Sequence, residues 1–345
     1  MVITIKDVAK QANVAPSTVS RVIANHPRIS EKTKKRVREV MKELGYHPNL
    51  QARSLAARSS QTIGVVMPNS AFFSFQNPFF PEVLRGISTS AHDHKYGLYL
   101  TTGTTEDEIF EEVISMVNGK RVDGIILLYS RINDRALHFL YDADFPFTIV
   151  GTPYCNDKGI THVDNDNINT TKRVTNYLIE LGHERIAFIG GNLGFVVTND
   201  RLNGYKMALE EAGLTFDKQY YVEERMLKES GKEAIEFLMS LPSPPTALVT
   251  QDDLMAYEMI SHLEKLNIKV PDDISVISFN NLTLSEHSKP PLTSVDINIY
   301  DLGLVASNCL IEKIKDPTLP AKRITIPTEL IERDSCQPVK EIVRS

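Results

Sequence analysis

From Ile5 onward the chain places apolar residues at helical spacing, in two short bursts and then a longer one. Ile5, Val8, Ala9 and Ala12 fall at i, i+3, i+4 and i+7, one stripe of a helix lying on a core. Thr4 precedes this helix, with Asp7 three residues on. Gln11, Asn13 and Val14 lead into a tight turn, and Pro16 stands where a helix begins without losing a needed N–H. From Pro16 to about Ala24, Val19, Val22 and Ile23 point inward while Ser17, Thr18, Ser20 and Arg21 stay outside. Ser30 caps a third helix carrying Val37, Val40, Met41 and Leu44, and Gly45 ends it. Two short helices joined by a tight turn, the second polar on its outer face, make a helix-turn-helix.

After a short polar linker at 58–61 the pattern changes to strands alternating with helices. Strands are expected at 62–68, 97–102, 122–130, 147–151, 160–166, 185–191, near 220–223, and at 246–251 and 274–280, with short ones at 322–326 and 328–332. Between them lie amphipathic helices at 105–119, near 133–141, up to Leu181, and at 199–212, 230–240, 253–266 and about 298–315. Asn77 and Pro78 open one more, bearing Val83, Leu84 and Ile87. This alternation predicts an α/β fold of parallel sheets with helices on both faces. Two successive runs predict two lobes, the first about 62–162 with 293–322, the second about 163–290 with 323–345. The chain should cross between them near 160–165, 290 and 320.

Charge divides the same way. Residues 1–60 hold 12 Lys and Arg against 4 Asp and Glu, a net of +8. The whole chain, with 38 basic and 44 acidic residues, is at −6, so the remainder carries −14. A basic head on an acidic body is the footprint of a nucleic-acid partner. Three cysteines, Cys155, Cys309 and Cys336, are far apart and show no CxxC or Cys/His ligand spacing, so free thiols are expected and no metal. No run of 18 apolar residues appears and no signal-peptide core, so a cytoplasmic protein is expected.

A recognition helix in the major groove would let Arg21 donate twice to guanine and Ser17 read a base edge. Thr18, Ser20 and the run 32–38 (KTKKRVR) would hold phosphates, the alternative for that run being a solvated helix face. Segments 4–14 (TIKDVAKQANV), 18–23 (TVSRVI), 44–49 (LGYHPN) and 52–56 (ARSLA) resemble the DNA-binding head of the LacI/GalR family of bacterial repressors. The resemblance carries DNA contacts over to Thr4, Pro16, Ser17, Thr18, Ser20, Arg21, Asn25, Asn49, Ala52, Arg53 and Leu55. It also implies a head at 1–47 and a hinge helix with linker at 48–61. Leu55 matches the leucine that the family pushes into the minor groove, where an apolar wedge kinks the duplex. Ala15 departs from the family, which has Ser there as N-cap.

The body, residues 62–345, carries 123–126 (DGII), 182–191 (GHERIAFIGG), 201–209 (RLNGYKMAL), 290–296 (PPLTSVD) and 330–335 (LIERDS). These are similar to the family's two-lobed, periplasmic-binding-protein-like effector domain. Ligands of such sheets bind beyond the carboxyl ends of the strands, between the lobes. Sugar-type contacts are expected from Asn77, Phe79, Phe80, Asp164, Arg201, Asp252 and Asn280. Phe79 and Phe80 could equally be plain core, Asp164 and Asn165 turn residues, and Arg201 a surface salt bridge. Asp253 reads as the N-cap of the helix that follows. Asn280 stands where the family usually has Asp. Segments 278–282 (SFNNL) and 287–298 (HSKPPLTSVDIN) are similar to the maltose-operon repressor branch in Gram-positive bacteria.

The function expected is an allosteric, sugar-responsive repressor acting as a homodimer on pseudo-palindromic operator DNA, with maltose or a malto-oligosaccharide as inducer. A corepressor-dependent regulator and a global carbon regulator docking a phosphocarrier protein stay open. An α/β enzyme lacks support, since no G-x-S-x-G, G-x-x-x-x-G-K-[ST] or H-E-x-x-H occurs. No cofactor is implied, and the mixed C-terminal residues 336–345 offer no tetramerising coiled coil.

Overall fold

The N-terminal apolar stripes close on one another. A computed structural model describes residues 3–23, 25–46, 59–68, 71–154, 159–223 and 231–339. Its first three helices span Ile5–Gln11, Pro16–Ile23 and Glu31–Glu43. Val8, Ala9, Ala12, Val19, Val22, Val37 and Val40 form their shared core. Each start has a local cause. The Asp7 carboxylate accepts the Thr4 N–H at 2.8 Å and the Thr4 hydroxyl at 2.7 Å. The Ser30 hydroxyl accepts the Thr33 N–H at 3.3 Å. Ala15 offers only its carbonyl, to the N–H groups of Thr18 and Val19, which costs the second helix about 1 kcal/mol against a capping Ser. Gly45, at φ +63°, turns the chain after the third helix, a conformation that a Cβ disfavours.

The chain divides into two units, Met1–Gln61 and Thr62–Ser345. The second unit contains strands β1 (Thr62–Val66), β2 (Gly97–Leu100), β3 (Gly124–Leu127), β4 (Phe147–Val150), β5 (His162–Asp164), β6 (Ile186–Gly190), β7 (Tyr221–Glu223), β8 (Ala247–Thr250), β9 (Ser275–Phe279), β10 (Thr293–Asp296), β11 (Arg323–Thr325) and β12 (Glu329–Ile331). They build two six-stranded sheets, ordered β11-β5-β4-β3-β1-β2 and β12-β10-β9-β8-β6-β7. Every pairing is parallel except that of β10 with β12. Central strands such as β3, β8 and β9 are buried along their whole length, as parallel strands covered on both faces must be.

Helices cover these sheets in close pairs. Ile299–Lys315 lies on Phe79–Asp93, and a Cβ at Gly303 would meet the Val83 carbonyl oxygen at 2.1 Å. Val196–Glu211 lies on Asn167–Glu180, and a Cβ at Gly204 would meet the Ile168 carbonyl oxygen at 2.1 Å. No helix among the described residues is long and apolar enough to cross a membrane.

Sheet membership corrects the expected lobe boundaries. β10 belongs to the second sheet and β11 to the first, so these two strands depart from the assignment of 293–322 to the first lobe and 323–345 to the second, while the Ile299–Lys315 helix packs with the first sheet and β12 joins the second as expected. The chain therefore crosses between sheets after Asp164, after Asp296 and after Thr325. Two short helices, Ala71–Gln76 and Thr283–His287, and strand β10 were not foreseen. The three crossings meet at one side chain. Asn165 Nδ2 donates to the Ile297 carbonyl at 3.1 Å and to the Ile326 carbonyl at 3.0 Å.

Candidate nucleic-acid interface and ligand cleft

On the Pro16–Ile23 helix, Ser17, Ser20 and Arg21 share one exposed face, because i, i+3 and i+4 stack on a helix, and buried Val19 and Val22 back them. Pro16 is exposed at the start of that helix, and Thr18 is half-buried beside the face. The Thr4 hydroxyl is already donated to Asp7. Asn25 sits in the left-handed region at φ +50°, and its Oδ1 accepts Arg38 Nη2 at 3.0 Å, tying the second helix to the third. The basic run 32–38 is not a single outward face. Lys34 is buried and bonds Glu31 at 2.7 Å, and Val37 lies in the core. Lys32, Lys35, Arg36 and Arg38 are the exposed cations of that run. Asn49, Ala52, Arg53 and Leu55 lie outside the described residues.

In the second unit the polar side chains gather at the carboxyl ends of the strands. Asp164, the last residue of β5, accepts the Thr152 hydroxyl at 2.9 Å, its neighbour's N–H (Asn165) at 2.8 Å and Asn167 Nδ2 at 3.1 Å. Asn167 Oδ1 accepts Arg201 Nε at 3.1 Å, and Arg201 Nη1 donates to the Gln251 carbonyl. The guanidinium lies 4.0 Å over the Phe279 ring. Arg201 is 4% exposed, so it is no surface salt bridge. Burial lowers its pKa to about 10 against the opposing pull of Asp252, Asp164 and Asp253, and it stays cationic at neutral pH. Burial also raises the Asp164 carboxyl, against its hydrogen bonds and Arg201.

Asn77 and Asp252 face each other across the lobes. Asn77 Oδ1 holds the Phe79 N–H at 3.0 Å, and its Nδ2 donates to Asp252 Oδ2 at 3.3 Å. The other Asp252 oxygen accepts the Met255 N–H at 2.9 Å. Asp252, not Asp253, therefore caps the Asp253–Lys265 helix. Asp253 is fully buried, accepting hydroxyls of Ser278, Ser285 and Ser294 and the Leu282 N–H. The sequence placed the cap one residue late because either acid satisfies an N-cap pattern.

Phe79 and Phe80 are half-buried, meet edge-to-face at 5.2 Å and pack on the main core. Asn280 is 7% exposed at the end of β9 and holds φ at +106°, a strained backbone of the kind found at functional positions. Asn165 is not a cleft group, since its amide is spent on the crossings. Sequence reasoning missed Asn167, Gln251 and Ser130. Gln251 Oε1 and Ser130 Oγ are buried with no hydrogen-bond partner among the described residues. Their signal was position: Gln251 directly follows β8, and Ser130 and Asn167 lie three residues past the ends of β3 and β5. A further seam joins the lobes where Val196 N–H meets the Ser130 carbonyl and Ile132 N–H the Gly194 carbonyl, both at 3.0 Å.

Comparison with known proteins decides what these two sites belong to. Residues 4–49 match the model for bacterial regulatory proteins of the lacI family, and residues 175–336 match a periplasmic binding protein-like domain. The HTH-type transcriptional regulator MalR of Streptococcus pneumoniae is 42% identical over 321 residues, 92% of this chain and 94% of that one. The chain belongs to the lacI family. Among solved structures, a putative LacI transcriptional regulator from Bacillus cereus subsp. cytotoxis is 48% identical with a TM-score of 0.78, covering 81% of this chain and 99% of that one. A probable maltose operon transcriptional repressor from Staphylococcus aureus is 31% identical with a TM-score of 0.71, covering 80% of this chain and 97% of that one. Family membership makes the head a reader of operator DNA and the two-sheet unit the holder of a small effector. The lacI family is one of transcriptional regulators and not of enzymes.

Proposed function

We propose that the chain is a homodimeric repressor of carbohydrate-utilisation genes whose hold on a pseudo-palindromic operator is released by maltose or a malto-oligosaccharide. The observation that carries this reading is the network from Thr152 through Asp164 and Asn167 to the buried Arg201. It offers charged, pre-oriented donors and acceptors at the strand ends, which is what the vicinal hydroxyls of a sugar need. The likeness to a maltose operon repressor supports the choice of sugar.

In this reading Arg21 and Ser17 address base edges, and Thr4, Pro16, Thr18, Ser20 and Asn25 address the sugar-phosphate backbone. Asn49, Ala52, Arg53 and Leu55 belong to the hinge, with Leu55 as the minor-groove wedge. In the cleft, Arg201, Asp164, Asn280 and the Asn77–Asp252 pair address hydroxyls, and Phe79 and Phe80 give the apolar wall. A sugar hydroxyl that takes the Asp252 oxygen from Asn77 replaces a lobe-to-lobe bond by two bonds to ligand. Differential binding of this kind is the only way an effector shifts a conformational equilibrium.

The test is a mobility shift of an operator fragment with and without maltose. Release at millimolar maltose is expected. Unchanged binding with maltose and every malto-oligosaccharide would remove the effector, and strengthened binding would make the sugar a corepressor.

A further inference from the structure

Each lobe keeps its own sheet, so any change in lobe angle is absorbed where the chain crosses. Those crossings begin at Asn165, Ile297 and Ile326. A single carboxamide joins them, its two N–H groups reaching carbonyls 132 and 161 residues away in the chain. Asn165 is 7% exposed, so water does not substitute readily for those bonds. Its backbone belongs to the effector network: its N–H bonds the Asp164 carboxylate at 2.8 Å, and its carbonyl accepts the Asn167 N–H at 3.0 Å. Asn167 in turn holds Arg201. Asn298 Nδ2 makes a separate tie, to the Pro327 carbonyl at 2.9 Å, which links the second and third crossings and does not touch the network.

We infer that Asn165 is a positioning residue that couples the Asp164–Asn167–Arg201 end of the cleft to all three crossings, so that effector occupancy sets the angle between the lobes. This rests on the proposed inducer reading for its sugar arm alone. The role needs a side chain that donates twice. An Asp would set a carboxylate against two carbonyl oxygens, and an Ala would leave both carbonyls buried without these donors.

The experiment uses the full chain in three forms: wild type, Asn165→Ala and Asn298→Ala. The first arm measures operator affinity without sugar and the fold-weakening by saturating maltose. Asn165→Ala keeps its sugar-free operator affinity within about threefold while its maltose response falls about tenfold, the size of two ordinary hydrogen bonds. Asn298→Ala keeps the wild-type response. A purely structural role would instead lower the melting temperature and leave the response intact, and that result overturns the inference. The second arm needs no sugar. Hydrogen exchange is followed in peptides covering 160–168, 294–300 and 323–330. Asn165→Ala speeds all three together by about tenfold. Unchanged exchange at the three crossings overturns the inference whether or not maltose binds. Faster exchange with a wild type blind to maltose leaves the clasp standing and removes only the sugar.

Discussion

Arg201→Lys is the substitution that separates charge from shape in the cleft. It keeps a cation beside Asp164 and Asp252 and removes the planar fork. The fork makes two bonds, from Nε to Asn167 at 3.1 Å and from Nη1 to the Gln251 carbonyl, and it stacks 4.0 Å over Phe279. A hydrogen bond from a charged donor is worth about 1.5–3 kcal/mol when its loss leaves a buried partner. A lysine ammonium in the same space reaches one of the two acceptors, so the expected loss is about 2 kcal/mol of stability.

For a unit of this size that loss lowers the melting temperature by roughly 4–8 °C. The sugar response should fall further, because Arg201 also holds Asn167, and through it Asp164, in place. Maltose affinity is expected to weaken about 10- to 100-fold, equivalent to about 1.4–2.8 kcal/mol. Thermal melts with and without maltose read both quantities on one sample. A variant that melts within about 1 °C of wild type and keeps its sugar-induced shift would refute the reasoning, because charge alone would then suffice.

Two further substitutions test the packing and the electrostatics separately. Burial, with Asp164 and Asp166 adding, pushes the Asp200 carboxyl up to about 6 from an ordinary 3.8. The fold thus favours the protonated form, and this group lowers stability progressively as pH rises from about 4 to 6, with a level effect above. Asp200→Asn should raise stability at pH 7 by about 1 kcal/mol, after discounting for solvent that reaches the group, and flatten the melting curve across that pH window. A pH profile parallel to wild type counts against the shift. Gly303→Ala would drive a Cβ to 2.1 Å from the Val83 carbonyl oxygen. Two backbones cannot relax around it cheaply, so a loss of about 3 kcal/mol and a melting point roughly 6–12 °C lower are expected. An unchanged melting point would mean that these helices do not pack at that distance.

The head was legible because its signals are local. A 3.6-residue period, a Thr4–Asp7 capping pair and Ser30 each act within four residues, and the structure places the helix starts accordingly. Even the buried Lys34 was within reach of that logic, since it lies three residues before Val37 and seven before Met41, on the apolar stripe. The sheets were legible as strands and not as partners. β10 and β11, the two strands that join the other sheet from the one expected, are four and three residues long, too few side chains to show which sheet they join. Their allocation depends on pairings such as Ile324 with Val163 and Leu330 with Val295. Such contacts are long-range, and no local propensity encodes them. The same holds for Asn165, which reads as an ordinary turn residue until the two distant carbonyls are seen.

Asp252 shows how a local rule and a distant contact are combined in one side chain. The helix start fixes one carboxylate oxygen on the Met255 N–H, so the side chain has little rotational freedom left. The second oxygen is thereby held toward Asn77 of the other lobe, at 3.3 Å. On the proposed reading, in which a ligand replaces Asn77, an acceptor oriented in advance by a cap loses little entropy on binding. A free surface carboxylate would have to be ordered at the moment of binding. The N-cap of the Asp253–Lys265 helix therefore starts the helix and bonds the other lobe at once, and on the proposed reading it presents a pre-set acceptor to the effector. The adjacent Asp253, locked among three serine hydroxyls and the Leu282 N–H, anchors the helix so that this presentation does not drift.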